Sequence, residues 1–526
     1  LPKINPPGLE GPRFPRYAAG VLLLAVAGVL LRAYGIAARS FWFDEAFSWR
    51  IITLPWPEMI EGVARDNHPP LYFILLKAWA VGFGTSEVAL RFLSALFGGG
   101  TVIAAAATAR EIVRARGGAL ERSHAAQAAG LIAASLVAVS VVQIRWAWEV
   151  RMYSLGTALA AATSWAMLRA LRTQTAGAWV GYGVLALLFA YTHYYALFSL
   201  LAQAIYVAGS IFLAARWRPG RAVASRAFWH ALLAAAIVAV GWLPWLPVFI
   251  AQRRQVKANY WTTPVRVEDV TRGMYRLFVV PENGPIGAEE AWVATAFAAS
   301  ALFALLACRP RREELYLALA AALPVVLPVV LSRLGTDVFH PRYLLFGHVH
   351  LLIGVGVLLG RVRDLRPQVV AAALLVANGL AIDIHFWHHM ELFDKPGMRA
   401  AMALVNAERR PGEPIVVSMS LLHSPTLYYV EDKRNVHLYD NGMPVLHYLG
   451  APALRPGEMA NDRALTRYRQ GRVWAVEMRG GGWGSYQVPE LAGWKWIAEY
   501  SFPEVYDVQG EVVISLYEVT ARAGRG

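Results

Sequence analysis

Phe41-Trp42-Phe43-Asp44-Glu45-Ala46, followed downstream by Asn67-His68-Pro69-Pro70-Leu71-Tyr72-Phe73, is the stretch on which the reading of this chain turns. Both segments lie in the loop after the first long apolar segment. An adjacent Asp-Glu pair among aromatics, at the mouth of an apolar chain, is costly there unless it is used. Ionisable groups at a membrane boundary point to function, and carboxylates are the usual general bases. Asp44 would also suit the cap of a short surface helix, a role that does not exclude catalysis.

Composition sets the class around that stretch. Of 526 residues 57% are hydrophobic and 16% charged, and the mean hydropathy is +0.39. A soluble domain of this size carries far more charge, so the chain reads as a polytopic membrane protein. A net charge of +14 would suggest nucleic acid in a soluble protein. Here most arginines fall in short loops between apolar spans, as the positive-inside rule requires, and no nucleic-acid partner is expected. The single cysteine, Cys308, excludes an intramolecular disulfide framework and a multi-cysteine metal site. The 19 tryptophans suit interfacial belts. The proline-rich start, Leu1 to Pro15, lacks the pattern of a cleaved signal peptide, so the first span is expected to stay as an anchor.

A crossing needs about 20 apolar residues. Spans are read at 17–36, 87–109, 125–145, 152–170, 177–192, 195–215, 227–249, 291–308, 315–333, 343–360 and 367–385. Basic clusters fall at Arg13/Arg16, Arg110/Arg114/Arg116/Arg122, Arg169/Arg172, Arg216/Arg218/Arg221/Arg226, Arg309/Arg311/Arg312 and Arg361/Arg363/Arg366. If all six face the cytoplasm, an even number of crossings separates each from the next. Segment 178–215 must then be a hairpin turning at Thr192-His193-Tyr194-Tyr195. Segment 70–84, apolar but short and carrying Lys77, would break the parity and reads as a juxtamembrane helix along the outer face. The account closes with about eleven spans. It places the Asp44/His68 loop, the turn near Glu149, the 192–195 turn, the 250–290 loop and the tail on the extracytoplasmic side.

Beyond residue 390 the apolar runs shorten to strand length, as in Pro414–Ser418, Arg472–Val476 and Val512–Tyr517, after a helical stretch at Met398–Glu408. Strands mixed with helices suggest a small α/β domain serving as acceptor presenter, lid or structural cap. Gly480-Gly481-Gly482 lacks the strand–GxGxxG–helix context of a nucleotide site.

No nucleotide sugar is available outside the cytoplasm, so a sugar transferred there would come from a polyprenyl-phosphate donor. Its leaving group is already a phosphate anion. The chemistry needs a carboxylate to take the acceptor hydroxyl proton and cations to hold the phosphate as its charge grows. Asp44 supplies the first. Arg253, Arg254, Lys257, Arg266, Arg272 and Arg276 offer the second, against a reading as a solvated charge run or a contact with anionic lipid. Glu149, in Trp146-Ala147-Trp148-Glu149-Val150-Arg151-Met152-Tyr153, could pair with Arg151 or orient the acceptor or a bound cation. His193 and Tyr194 occupy the hairpin turn, as acceptor-side groups or as capped polar residues. Arg342-Tyr343, after His340-Pro341, opens a span from the external side; snorkelling and a donor-phosphate contact both explain it.

Phe43-Asp44-Glu45-Ala46, then Asn67 to Phe73, then Phe83-Gly84-Thr85-Ser86-Glu87 with Arg91, then Glu149-Val150-Arg151-Met152-Tyr153 resembles the GT-C glycosyltransferases. The likeness is to bacterial protein-mannosyltransferase and aminoarabinose-transferase relatives (GT39- and GT83-like, including the RgtA/B/C/D-like domain). Tyr191-Thr192-His193-Tyr194-Tyr195, Leu243-Pro244-Trp245-Leu246-Pro247 and Arg342-Tyr343-Leu344 continue it, over roughly residues 17–385. The resemblance implies Asp44 as the catalytic or acceptor-orienting carboxylate with Glu45 beside it, and Glu149 as the second acidic position. It implies Lys77 and Arg342 on the lipid-phosphate side and His68 lining the cavity. Where the bacterial form often reads Gln-Glu-Ala-Arg, this chain has Trp148-Glu149-Val150-Arg151, keeping the acid and the arginine. Members invert the anomeric centre and differ in divalent-cation use; His388-His389 is not at ligand spacing, and no metal site is assigned.

The sequence therefore predicts a mainly α, polytopic GT-C fold over residues 1–390, with a juxtamembrane catalytic loop at 37–86 and a soluble extracytoplasmic α/β domain over 391–526. The expected activity is sugar transfer from a polyprenyl-phosphate donor to a protein, lipid or envelope-glycan acceptor at the bacterial inner membrane. Asp44, Glu45 and Glu149 form the catalytic set, with His68, His193 and Tyr194 toward the acceptor. Lys77, Arg151, Arg253, Arg254, Arg272, Arg342 and Tyr343 form the donor-phosphate set. A transporter or flippase of lipid-linked glycans would carry ionisable residues inside its spans, often in paired repeats. Here the acids gather at one face. An inactive glycan-binding relative is the third reading, and the intact Asp-Glu pair argues against it.

Overall fold

The computed structural model describes residues 13–114, 121–279, 286–307, 312–391 and 394–520. Arg116, Cys308, Arg309, Arg311 and most of the Leu1–Pro15 segment lie outside the described residues, as do the side chains of Arg13 and Arg122. Helix α1 (Arg13–Ala33) leads into three short helices of the first loop, α2 (Phe43–Thr53), α3 (Trp56–Arg65) and α4 (Leu71–Phe83). Then come α5 (Glu87–Arg114), α6 (Glu121–Ala138), α7 (Val141–Ala147), α8 (Tyr153–Thr173), α9 (Ala176–Ala190) and α10 (Ala196–Ala214). They are followed by α11 (Pro219–Val223), α12 (Arg226–Trp242), α13 (Leu246–Ala258), α14 (Val267–Phe278), α15 (Ala288–Ala307), α16 (Arg312–Arg333), α17 (Leu345–Leu359) and α18 (Leu365–His389).

The chain is a multi-pass membrane protein. Among the described residues eight helical segments are long and apolar enough to cross a bilayer: α1, α5, α10, α12 continued by α13, α15, α16, α17 and α18. Helices α6 and α7 together make a ninth, bent by 56°. The two other stretches read as spans, α8 and α9, are also helical; α9, with 15 residues, is short for a crossing. The bend frees backbone carbonyls, and Arg32 meets them, donating to Val137 at 3.0 Å and Ala138 at 3.1 Å. The 250–290 loop is a correction: much of it is helix, because α12 runs through a short 3-10 turn into the basic α13, and α14 follows.

In lipid, helices associate by close packing, so small residues mark the contacts. Gly356 and Gly360 of α17, one turn apart, lie against Ala133 and Ala129 of α6. A Cβ added at Gly356 would stand 2.8 Å from the Ala133 nitrogen, and one at Gly360 would stand 2.9 Å from the Ala129 Cα. The obstacle is backbone, which cannot swing aside.

The C-terminal part alternates helix and strand: α19 (Gly397–Glu408), β1 (Ile415–Val417), α20 (Ser420–Tyr429), β2 (Val436–Tyr439), β3 (Met459–Ala460), α21 (Asp462–Leu465), β4 (Gly471–Arg479), β5 (Trp494–Pro503) and β6 (Glu511–Val519). One sheet results, in the order β3-β2-β1-β4-β6-β5. Strands β3, β2, β1 and β4 pair in parallel, while β6 runs antiparallel to β4 and β5. The chain leaves β1 toward β2 on one side and returns to β4 on the other. The crevice at the carboxyl ends of that pair is where such sheets bind ligands.

This unit grips the first loop. The Phe41 N–H donates to the Tyr429 hydroxyl at 2.6 Å, and Phe41 and Tyr428 stack at 4.6 Å. Arg399 donates to the Ala37 and Arg39 carbonyls and to Glu87, and Arg50 pairs with Glu458. Gly356→Leu is expected to split the α6–α17 contact and cost about 1–3 kcal/mol. Thermal unfolding in detergent reads this as a lower midpoint, whereas Leu at the open position Gly209 should leave it unchanged.

Candidate active site

Asp44 and Glu45 open α2, and successive residues of a helix point about 100° apart. One carboxylate therefore turns inward and the other outward. Glu45 is fully buried. It accepts from Arg39 Nη1 at 2.6 Å, from Arg91 Nε and Nη2 at 2.7 and 2.8 Å, and from the Val150 N–H at 3.3 Å. Burial alone would raise its pKa, but the two guanidiniums outweigh it and hold the carboxyl below its ordinary value. The remaining donors of Arg91 go to the carbonyls of Ile36, Arg39 and Ser40, and Arg39 reaches that of Trp148. Glu45 thus binds three segments into one floor.

Asp44 faces the other way, 15% exposed, and its Oδ2 accepts from Arg342 Nη1 at 3.2 Å. The guanidinium of Arg342 lies among the rings of Trp261, Tyr343 and Tyr153, at 5.2, 5.3 and 5.7 Å from their centroids. Sequence reading separated these two residues by nearly three hundred positions; the fold brings them into contact.

The pair stands between two hollows. The larger, about 280 Å³, lies between the membrane part and the C-terminal unit. Trp42, Asp44, Arg145, Trp146, Trp261, Arg276, His340 and Arg342 line one wall, and Leu421, Pro425, Met478, Trp483, Glu504 and Tyr506 line the other. Leu421 follows β1 and Met478 lies near the end of β4, so the crevice of the parallel strands opens here. The smaller hollow, about 30 Å³, is polar and is walled by Asp44, Asp66, Asn67, His68, Arg151, Tyr260, Arg342 and His447.

His68 Nδ1 lies 3.1 Å from Asp66 Oδ2, and Arg151 Nη2 lies 3.4 Å from both ring nitrogens. Burial, helped by Arg151, pushes the His68 pKa well below its usual value, so the ring is neutral and the Asp66 contact is a hydrogen bond rather than an ion pair. Burial likewise raises Asp66 to about 6. His193 and Tyr343 stand one layer back, His193 5.6 Å from His68 and 5.0 Å from Tyr343 by ring centroids. Tyr194 turns away, bonded to Gln252 and to Trp245 Nε1. Glu149 is buried behind the wall, accepting from Arg145 Nη1 at 2.8 Å, with burial raising its pKa.

Five residues of the donor-phosphate set are not brought to either hollow: Tyr343, one layer back, and Lys77, Arg253, Arg254 and Arg272. Lys77 donates to the Ile52 and Leu54 carbonyls at 2.7 and 2.5 Å, satisfying the end of α2. Arg253, Arg254 and Arg272 are exposed and line neither hollow. Of that basic run it is Arg276, one turn beyond Arg272 on the same face of α14, that reaches the wall of the larger hollow. Arg145, Trp261, Glu504 and Tyr506 were not singled out from sequence. Arg145 was hidden at the end of an apolar span, and Glu504 sits in a turn after a strand with no motif around it.

Glu504 is buried, taking the Met398 N–H at 2.8 Å and the Ser40 hydroxyl at 3.2 Å, and burial pushes its pKa up to about 7. Among the described residues no three His, Cys, Asp or Glu side chains converge as a metal ion would need.

No protein-family model matches the chain, and no curated protein matches it by sequence. Its fold is similar to that of ArnT from Cupriavidus metallidurans. The apo structure of that protein aligns with a TM-score of 0.62 at 12% identity, over 95% of this chain and 98% of that one. The structure bound to undecaprenyl phosphate aligns with a TM-score of 0.58 at 14% identity, over 94% and 97%.

Glu45→Gln should cost about 3–5 kcal/mol, since it strands two buried guanidiniums. Asp44→Asn, at a partly exposed position, should leave the unfolding midpoint within a degree or two. Glu504 holds its proton more tightly folded than unfolded, where a Glu titrates near about 4.3. The stabilisation from that proton is full below the unfolded value and is lost as pH rises through about 7. The midpoint of the wild type should therefore fall relative to Glu504→Gln between pH 4.5 and 7.

Proposed function

We propose that this protein transfers a sugar from a polyprenyl-phosphate donor to an acceptor hydroxyl at the extracytoplasmic face of a bacterial inner membrane, with inversion. The observation that carries the reading is the Asp44–Arg342 pair at the wall of a cavity between the membrane helices and the C-terminal unit. The fold shared with an ArnT that binds undecaprenyl phosphate supports the donor class.

The acceptor oxygen attacks the anomeric carbon from the face opposite the phosphate, and the carbon–oxygen bond to phosphate breaks with its electron pair leaving on the phosphate oxygen. The acceptor proton goes to the Asp44 carboxylate, which turns toward the cavity. A departing phosphate needs cations that are already in place. Arg342, held in its aromatic cage, and Arg276 on the same wall meet that need. Arg342 also shares Asp44, so the growing phosphate charge draws the guanidinium away from the carboxylate as the proton arrives. The small hollow, with His68 neutral and Arg151 beside it, suits the polar end of the donor rather than proton transfer.

Release of free polyprenyl phosphate from a panel of labelled polyprenyl-phosphate sugars, with purified protein and a membrane and envelope extract as acceptor, tests the reading. Asp44→Asn is expected to lower release at least a hundredfold with the protein still folded. Arg342→Gln should lower it tenfold or more. Equal release by Asp44→Asn and wild type removes Asp44 from the chemistry, and no release from any donor ends the reading.

A further inference from the structure

The larger hollow carries a second carboxyl that the transfer step does not use. Glu504 lies just beyond β5 on the C-terminal wall, while Asp44 lies on the membrane wall of the same cavity. Its setting differs from that of Glu45 and Glu149. Glu45 is held by two arginines and Glu149 by one. Among the described residues no cationic side chain is in hydrogen-bonding contact with Glu504: it takes one backbone N–H and one serine hydroxyl. A carboxylate has about four lone-pair sites, so about half of its capacity is left over at a cavity wall. The charged groups nearest it, Arg39 of the first loop and Arg399 of α19, act on it only through space.

Its position is enforced. Gly397, at φ +52°, packs so closely that an added Cβ would stand 2.5 Å from Glu504 Oε2 and 2.6 Å from Ser40 Oγ. The neighbouring Tyr506 ring lies 4.4 Å from the Arg145 guanidinium and 5.4 Å from that of Arg39. The turn is thereby keyed into the membrane part. Indole side chains line both walls, Trp483 on one and Trp146 and Trp261 on the other.

We infer that Glu504 binds the acceptor from the C-terminal wall while Asp44 engages the reacting hydroxyl, and that the acceptor is a sugar. This rests on the proposed transferase reading and names its acceptor class. Two carboxylates on opposite walls call for at least two donor groups on one molecule. A serine or threonine side chain brings one hydroxyl. A sugar ring brings several, together with a C–H face that lies flat on an indole. Glu504 accepts most strongly as the anion, so acceptor binding strengthens as pH rises through about 7.

The test follows polyprenyl-phosphate release from the best labelled donor, with a panel of alkyl glycosides and a serine/threonine peptide as acceptors. Wild type is expected to use a glycoside in preference to the peptide, with the acceptor KM falling severalfold from pH 6 to pH 8. Glu504→Gln should raise that KM at least tenfold at pH 8 and abolish its pH dependence, with the donor KM changed less than twofold. Ser40→Ala removes the hydrogen bond from the first loop to Glu504 and keeps the carboxyl, so the pH dependence should persist. An unchanged acceptor KM in Glu504→Gln overturns the inference, as does a peptide used as well as any glycoside. Equal losses in Ser40→Ala and Glu504→Gln reduce Glu504 to a latch between the walls, which also overturns it. No release by wild type from any donor overturns the transferase reading, and this inference with it; that outcome is distinct because the variants then match the wild type.

Discussion

One carboxylate orders the floor of the candidate site. Glu45 is buried with two arginines, and a buried carboxylate is tolerated only when its partners are close and its lone pairs are met. Arg91 comes from a long membrane helix, Arg39 from the first loop, and the Val150 amide from the corner between α7 and α8. None of these contacts is chemistry. Together they fix where α2 begins, and hence where the preceding Asp44 points.

The same floor is what the C-terminal unit rests on. Its contacts go to the backbone of residues 37–41, to Ser40 and to Glu87 at the start of α5. These are the segments that the Glu45 cluster has already made rigid. The larger hollow is therefore not a dent in either part but the space left where two separately built surfaces meet imperfectly. Polar groups gather near Asp44 and Arg342, and apolar side chains such as Leu421 and Pro425 gather opposite.

The fold was largely legible because the bilayer imposes length and composition, and both can be read residue by residue. Each apolar stretch became a helix, and the strands of the tail stand where short apolar runs stood. The loop at 250–290 was misread because α13 is basic and exposed; hydropathy sees only the apolar part of a helix that continues past the membrane edge. In the site, Asp44 and Arg342 were named from local motifs, but their pairing was not, since nothing local encodes a contact across the whole membrane part. The resemblance put Lys77 on the phosphate side, and sequence could not show that two backbone carbonyls take up its ammonium. Glu504 left no trace, because its character comes from the surroundings rather than from its neighbours in the chain.

The seam between the walls has a consequence for how such a protein can change over time. Asp44 and Arg342 belong to the part built on packed membrane helices and buried charge. The opposite wall is drawn from another framework: Leu421 and Pro425 from α20, Met478 from β4, and Glu504 and Tyr506 from the turn after β5. Change in one framework can then proceed without change in the other, except at the contacts that tie Ser40, Phe41 and Glu87 to the C-terminal unit.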